Sequence, residues 1–170
     1  IEETRNVHEE KFVPGVVEPS FGIGRLVFAM LEHSFSTRDD SRRGFLALKP
    51  SMAAFKALVL PLTTRPELLS LTDQIIGDVK REGLTCRSDP GSSAIGRRYA
   101  RNDELGIPFA ITVDFQTIQD DTVTLREIAS MEQVRLSRNQ AVQIVKNAVD
   151  EKMDWEEIKT KFPRAEPLPE

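Results

Sequence analysis

The residues best suited to chemistry stand near the start of the chain. Glu18, Ser20 and Arg25 set a carboxylate, a hydroxyl and a guanidinium within one short stretch, EPSFGIGR. The apolar run in residues 11–18 (KFVPGVVE) predicts a strand, and alternation would then put Glu18 and Ser20 on the same face. Such a pair can hold an ammonium group, and the planar donors of Arg25 can hold a triphosphate or stack on an adenine ring. The plainer alternative is a strand-end salt bridge between Glu18 and Arg25, with Gly22 and Gly24 supplying positive φ in a tight turn. A second concentration of charge, Arg97, Arg98 and Arg101, shares one broad helical face. That face is either solvated, with Glu104 neutralising Arg101 one turn on, or a contact for RNA. Other signatures fail. Position 27 is Val, so the glycine turn lacks the third glycine of a dinucleotide fingerprint, and no Gly-Lys-Ser/Thr exists for a P-loop.

These groups need elements to position them. Leu26 to Leu31 is apolar throughout, which predicts a helix buried on several sides, and Ser36 to Gly44 reads as a polar loop. From Phe55 onward strands and helices alternate. Residues 56–62 form a buried strand. Thr63 and Thr64 are candidate caps, and Pro66 opens a helix with Leu68, Leu71, Ile75 and Val79 inward, stopped by Gly83. A short strand follows at 84–87, then a helix at 94–105 ended by Gly106, then a strand covered on both faces at 107–113. Asp120 and Asp121 make a turn. Thr122, Thr124 and Arg126 alternate with Val123 and Leu125, as in a half-exposed strand. A weaker strand signal covers 131–136, an amphipathic helix 139–150, and a short helix carries Trp155, Ile158 and Phe162 before Pro163. This order predicts an α/β fold with a parallel or mixed sheet of about five strands flanked by helices. The helices at 66–82 and 94–105 are long enough to be crossovers.

Composition narrows the function. With 170 residues, 39% hydrophobic and 29% charged, the chain can bury a core. A net charge of −4 excludes a globally basic nucleic-acid clamp and leaves only a local patch. One cysteine excludes an internal disulfide, and Cys86 reads as a small buried apolar residue. With two histidines, any zinc site would need mostly carboxylates, and no metal ligands are predicted. No run is apolar enough to span a bilayer, so no membrane partner is expected. Tyr99 and Trp155 read as core or interface residues.

Glu18-Pro19-Ser20-Phe21-Gly22-Ile23-Gly24-Arg25 resembles motif 3 of class II aminoacyl-tRNA synthetases, in the form of eukaryote-type glycyl-tRNA synthetases. The resemblance continues through Glu32-His33-Ser34-Phe35, Val59-Leu60-Pro61-Leu62, the long stretch Ile95 to Gly106 (IGRRYARNDELG), Thr112-Val113-Asp114-Phe115 and Thr124-Leu125-Arg126. It covers about Phe12 to Phe162.

The resemblance implies three segments: 1–50 as the C-terminal end of an antiparallel catalytic domain, 51–163 as an anticodon-binding domain, and 164–170 as a mobile tail. It implies a ligase that attaches glycine to tRNA(Gly) through glycyl-adenylate, with ATP as substrate and Mg2+ bound mainly by residues outside this chain. Glu18, Pro19 and Ser20 would line the glycine pocket, and Arg25 would be the catalytic, ATP-binding residue. Arg97, Arg98, Phe115 and Arg126 would contact the anticodon, although Phe115 is equally readable as core. Motifs 1 and 2 of the class are absent, so the chain is expected to be part of a longer polypeptide or assembly, homodimeric through the missing part and inactive alone. A cytoplasmic location is expected, with mitochondrial use left open. The alternative is a non-catalytic, synthetase-like accessory module that holds RNA or protein.

Overall fold

The computed structural model describes residues 2, 4, 8, 9, 11–38 and 43–165. The first ordered element is α1 (Ile23–Ser34), followed without a break by a hairpin of β1 (Phe35–Thr37) and β2 (Gly44–Leu46). The second part is a five-stranded sheet in the order β4-β3-β5-β6-β7, built from β3 (Ala57–Pro61), β4 (Cys86–Ser88), β5 (Phe109–Val113), β6 (Thr122–Glu127) and β7 (Gln133–Ser137). β4, β3 and β5 run parallel, β6 is antiparallel to β5, and β7 is antiparallel to β6. The helices are α2 (Pro66–Arg81), α3 (Ile95–Asp103), α4 (Phe115–Asp120), α5 (Arg138–Val149) and α6 (Trp155–Lys161). The expected α/β class and mixed five-stranded sheet are therefore what the chain forms.

Strand alternation explains the layering. On β3, Ala57 and Val59 face the core shared with α2 and α5, while Leu58 and Leu60 face a second cluster with Ile95 and Tyr99 of α3. β5 divides the same way. Phe109, Ile111 and Val113 join the first cluster, and Ala110 joins the second. Ile75, Val79, Ile111 and Leu125 are fully buried, each stabilising the fold by roughly 1.5–3 kcal/mol relative to exposure. Gly83 and Gly106 adopt φ +74° and +67° and end their segments as expected.

Several expectations change. Residues 11–18 form no strand, because no described neighbour offers them a ladder. α1 forms but buries none of its residues: Leu26 is 56% and Phe28 68% exposed. Gly22 has φ −79° and Gly24 lies inside α1, so neither uses positive φ. The loop expected over 36–44 is partly hairpin, and its residues 39–42 lie outside the described residues. Neither Thr63 nor Thr64 caps α2, whose N-cap is Arg65. β6 is buried on both faces because its polar side chains meet an ionic cluster rather than water. Helix α4 was not foreseen. Arg164 and Ala165, expected in a mobile tail, pair alongside β7: Arg164 bridges Val134, and the Ala165 amide donates to the Gln133 carbonyl at 2.9 Å. Residues 166–170 lie outside the described residues.

Candidate nucleic-acid interface

The carboxyl ends of the parallel strands β3, β4 and β5 converge on one rim, where open α/β sheets form crevices. A cleft of about 380 Å³ lies there, lined by Leu62, Thr63 and Thr64 after β3, the 91–95 turn after β4, and Phe115 after β5. Each wall is held by buried polar groups.

The Phe115 wall depends on Asp114. Its carboxylate accepts from the Thr117 amide at 3.1 Å and caps α4, while the Thr117 hydroxyl accepts from the Asp114 amide at 3.0 Å. Arg135 of β7 donates to both Asp114 oxygens, at 2.5 and 2.8 Å, and also to Thr122 and Thr124. Phe115 is thereby set on the rim, 39% exposed, with the Arg65 guanidinium carbon 4.9 Å from its ring centroid.

The 89–95 wall depends on Asp89. It accepts from Arg101 Nε at 2.7 Å, Asn102 Nδ2 at 2.9 Å and the Gly91 amide at 3.3 Å. Burial alone would raise the Asp89 carboxyl. The bonds from Arg101, Asn102 and Gly91 outweigh it and hold the group below the ordinary carboxylate value. Arg98 is 0% exposed. It donates to the carbonyls of Asp89 at 3.0 Å, Pro61 at 2.5 Å and Leu62 at 3.1 Å, bracing both flanking loops. Ala94, the N-cap of α3, supplies no side-chain acceptor, so the Ile95 and Gly96 amides have no partner among the described residues, while the Arg97 amide donates to the Ala94 carbonyl at 3.0 Å. The Thr63 hydroxyl oxygen is buried without a partner among the described residues.

The four candidate RNA contacts therefore divide. Arg97 is exposed on the first turn of α3 and makes no ion pair among the described residues, and Phe115 lines the cleft. Arg98 and Arg126 are not available to a ligand. Arg98 is spent on backbone carbonyls, and Arg126, 5% exposed, donates to both oxygens of Asp103 at 3.0 Å with its guanidinium carbon 4.6 Å from the Tyr99 ring centroid. Arg101 pairs with Asp89 rather than Glu104. The expected single basic face is thus split between solvent and core. The positions that sequence reading missed are Arg65, Asp89, Asp114 and Arg135. Only Asp114 left a local signal, as an Asp three residues before a Thr at a strand end.

Glu18, Pro19, Ser20 and Arg25 are all exposed, and the cleft does not include them. The alternative salt bridge between Glu18 and Arg25 does not form. No group of three potential metal ligands occurs among the described residues, and no helix is long and apolar enough to cross a membrane. Cys86 packs against the core partly buried, and burial raises its thiol above the ordinary value.

Residues 56–148 match the family model of the anticodon binding domain. The chain is 40% identical over 166 residues to a glycine–tRNA ligase of Caenorhabditis elegans, a match covering 96% of this chain and 22% of that protein. It is 42% identical over 162 residues to the Drosophila melanogaster enzyme of the same name, covering 94% and 21%. It is 44% identical over 142 residues to that of Methanocaldococcus jannaschii, covering 84% and 24%. The chain thus spans about a fifth of the length of the curated relatives it matches. Two solved structures share its fold at 16% identity. They are a prolyl-tRNA synthetase of Cryptosporidium parvum (TM-score 0.57, 62% of this chain and 23% of that one) and the RNA binding domain of a threonyl-tRNA synthetase from the same organism (TM-score 0.55, 60% and 25%).

Proposed function

Because the chain belongs to the anticodon-binding domain family and is a relative of glycine–tRNA ligases, we propose that it reads the anticodon of tRNA(Gly) within an enzyme that charges that tRNA with glycine. The observation that carries this reading is the rim cleft, where the half-exposed Phe115 ring, with the Arg65 guanidinium against it, lies across from the start of α3, whose first turn exposes Arg97. Unpaired bases stack on aromatic and guanidinium planes, and the Ile95 and Gly96 amides at the start of α3, without partners among the described residues, suit base edges or phosphate. Arg98 and Asp89 do not touch RNA in this reading; they brace the two loops that flank the cleft.

The remainder of the enzyme's chemistry draws on EPSFGIGR. Glycine has no side chain to recognise, so its ammonium must be gripped while space for a Cβ is denied, the role proposed for Glu18, Pro19 and Ser20. The glycine carboxylate attacks the α-phosphorus of ATP, giving glycyl-adenylate and pyrophosphate. The terminal ribose hydroxyl of the tRNA then attacks the adenylate carbonyl and releases AMP. Arg25 stabilises phosphate charge as it develops and transfers no proton. Magnesium would travel with the ATP on ligands outside this chain. The exposed apolar side of α1, with Leu26 and Phe28, supports a neighbouring catalytic sheet in the longer polypeptide and a homodimer formed through it.

The test is binding of transcribed tRNA(Gly) to the full-length polypeptide, with and without changes at the middle and third anticodon bases. Loss of affinity on those changes supports the reading. Indifference to them favours a non-catalytic accessory module, as does a full-length polypeptide without glycine-dependent ATP–pyrophosphate exchange.

A further inference from the structure

Arg38, just beyond β1, crosses to the sheet domain. Its Nη2 donates to Asp103 Oδ2 at 3.0 Å and to the Ile128 carbonyl at 2.6 Å, and its Nη1 donates to the Ala129 carbonyl at 3.2 Å. Its guanidinium carbon stands 4.2 Å from the centroid of the Phe45 ring. Both side chains of the pair are only 10% exposed. Among the described residues, this is the one ion pair that joins residues before 50 to the sheet domain. The same carboxylate holds Arg126, so Asp103 unites two guanidiniums from distant parts of the chain.

Stiff elements run from both ends of this pair. On one side, α1 ends at Ser34 and β1 begins at Phe35 with no intervening loop, and the Ala47 amide closes back on the Ser34 carbonyl at 2.7 Å. Leu46 and Leu48 pack so tightly on Gly106 that a Cβ there would lie 3.0 Å or less from each. On the other side, Asp103 is the last residue of α3, whose first residue, Ile95, lines the cleft and whose Arg98 is tied to both cleft loops. A helix of nine residues spans about 13 Å, so the joint and the cleft sit at opposite ends of one rod.

We propose that Arg38 and Asp103 are positioning residues that fix α1, and the EPSFGIGR segment at its start, relative to the cleft. The functional meaning rests on the reading above, in which one RNA must be engaged at its anticodon while its acceptor end reaches the catalytic part. Neither residue touches a reacting atom. Their contribution is orientation, which a substrate held at two remote points requires and a substrate bound at one point does not.

The experiment uses the full-length polypeptide with Cys86→Ser and its remaining cysteines replaced, spin-labelled at Glu32→Cys on α1 and Gln143→Cys on α5. Arg38→Ala leaves the Asp103–Arg126 pair intact, and it should broaden the label-to-label distance distribution. An unchanged distribution overturns the proposal whatever the catalytic result. In parallel, Arg38→Ala should leave glycine-dependent ATP–pyrophosphate exchange and binding of an anticodon stem–loop within about twofold, while kcat/KM for charging tRNA falls about tenfold or more. Charging at the wild-type rate overturns the proposal, and so does a parallel fall of all three activities, which would mark general destabilisation. If the unsubstituted polypeptide shows no exchange with glycine, the functional reading fails and the label distances alone decide the joint.

Discussion

Asp114 and Arg135 hold each other across the end of β5 and the middle of β7 through two near-parallel hydrogen bonds, one residue before the ring that lines the cleft. The pair both caps α4 and aims Phe115, so its protonation bears on stability and recognition together.

Acid should therefore act through this carboxyl. Burial alone would push Asp114 up. The hydrogen bonds and charge of Arg135, with the Thr117 amide and hydroxyl, outweigh that and hold it below its ordinary value of 3.8. A carboxyl depressed in the fold contributes stability that is full above its unfolded value and lost as pH falls through the folded one. Urea midpoints are expected to be level above about pH 5 and to fall below about pH 4. Asp114→Asn should flatten part of that fall and cost about 2–4 kcal/mol at neutral pH, because Arg135 is left buried without its counter-charge. A fall of unchanged depth in Asp114→Asn would assign acid sensitivity elsewhere, with Asp89 the next group of the same sign.

Arg98→Met should destabilise the domain by about 3–5 kcal/mol, since it strands the carbonyls of Pro61, Leu62 and Asp89 inside the fold. Arg97→Met, one position away on the exposed side, should leave the melting temperature within about 2 °C. Thermal denaturation of the two variants side by side checks the split of the arginine cluster.

Phe115→Ala should weaken binding of tRNA(Gly) by about 1–3 kcal/mol, the worth of one base stack, and Phe115→Trp should restore most of it. Arg97→Ala should weaken binding less and reduce the salt slope by about one unit if it meets a phosphate. Filter binding over a salt series reads both. Equal affinity for Phe115→Ala and wild type would remove the ring from the interface.

Gly106→Ala and Gly83→Ala separate backbone strain from collision. Both glycines have positive φ, costing an L-residue about 1–2 kcal/mol. At Gly83 a Cβ meets nothing within 4 Å, whereas at Gly106 it meets Leu48 Cδ1 at 2.7 Å and Leu46 Cβ at 3.0 Å. Chemical denaturation should show Gly106→Ala as the worse variant by at least about 1 kcal/mol.

Element order was legible because periodicity and glycine stops are local properties: β3, α2, β5 and α5 all fall where apolar spacing puts them. Burial of polar side chains was not. Arg98 and Arg126 read as surface charges because nothing local announces three carbonyls from two other loops, or an Asp103 carboxylate 23 residues away in sequence. The exposure of α1 fails in the opposite direction. Its apolar sequence reads as a buried helix, yet among the described residues none of its side chains is buried. α4 escaped notice because six residues are too few to show a period, and its cap, Asp114, is also a strand end. The ring at 115 in the cleft and the exposed guanidinium at 97 on α3 were readable by type, whereas Arg65 was not, since its place against Phe115 depends on β3 and β5 lying side by side.

The mixed strand directions carry one more consequence. Because β3, β4 and β5 run parallel, the loops at 62–65, 89–94 and 114–115 are gathered on one rim, while β6, turning back, carries Arg126 to the other, where the hairpin is attached. The two rims are thereby separable: the three loops can change in sequence while the partners of Arg38 and Asp103 at the far end of α3 stay as they are.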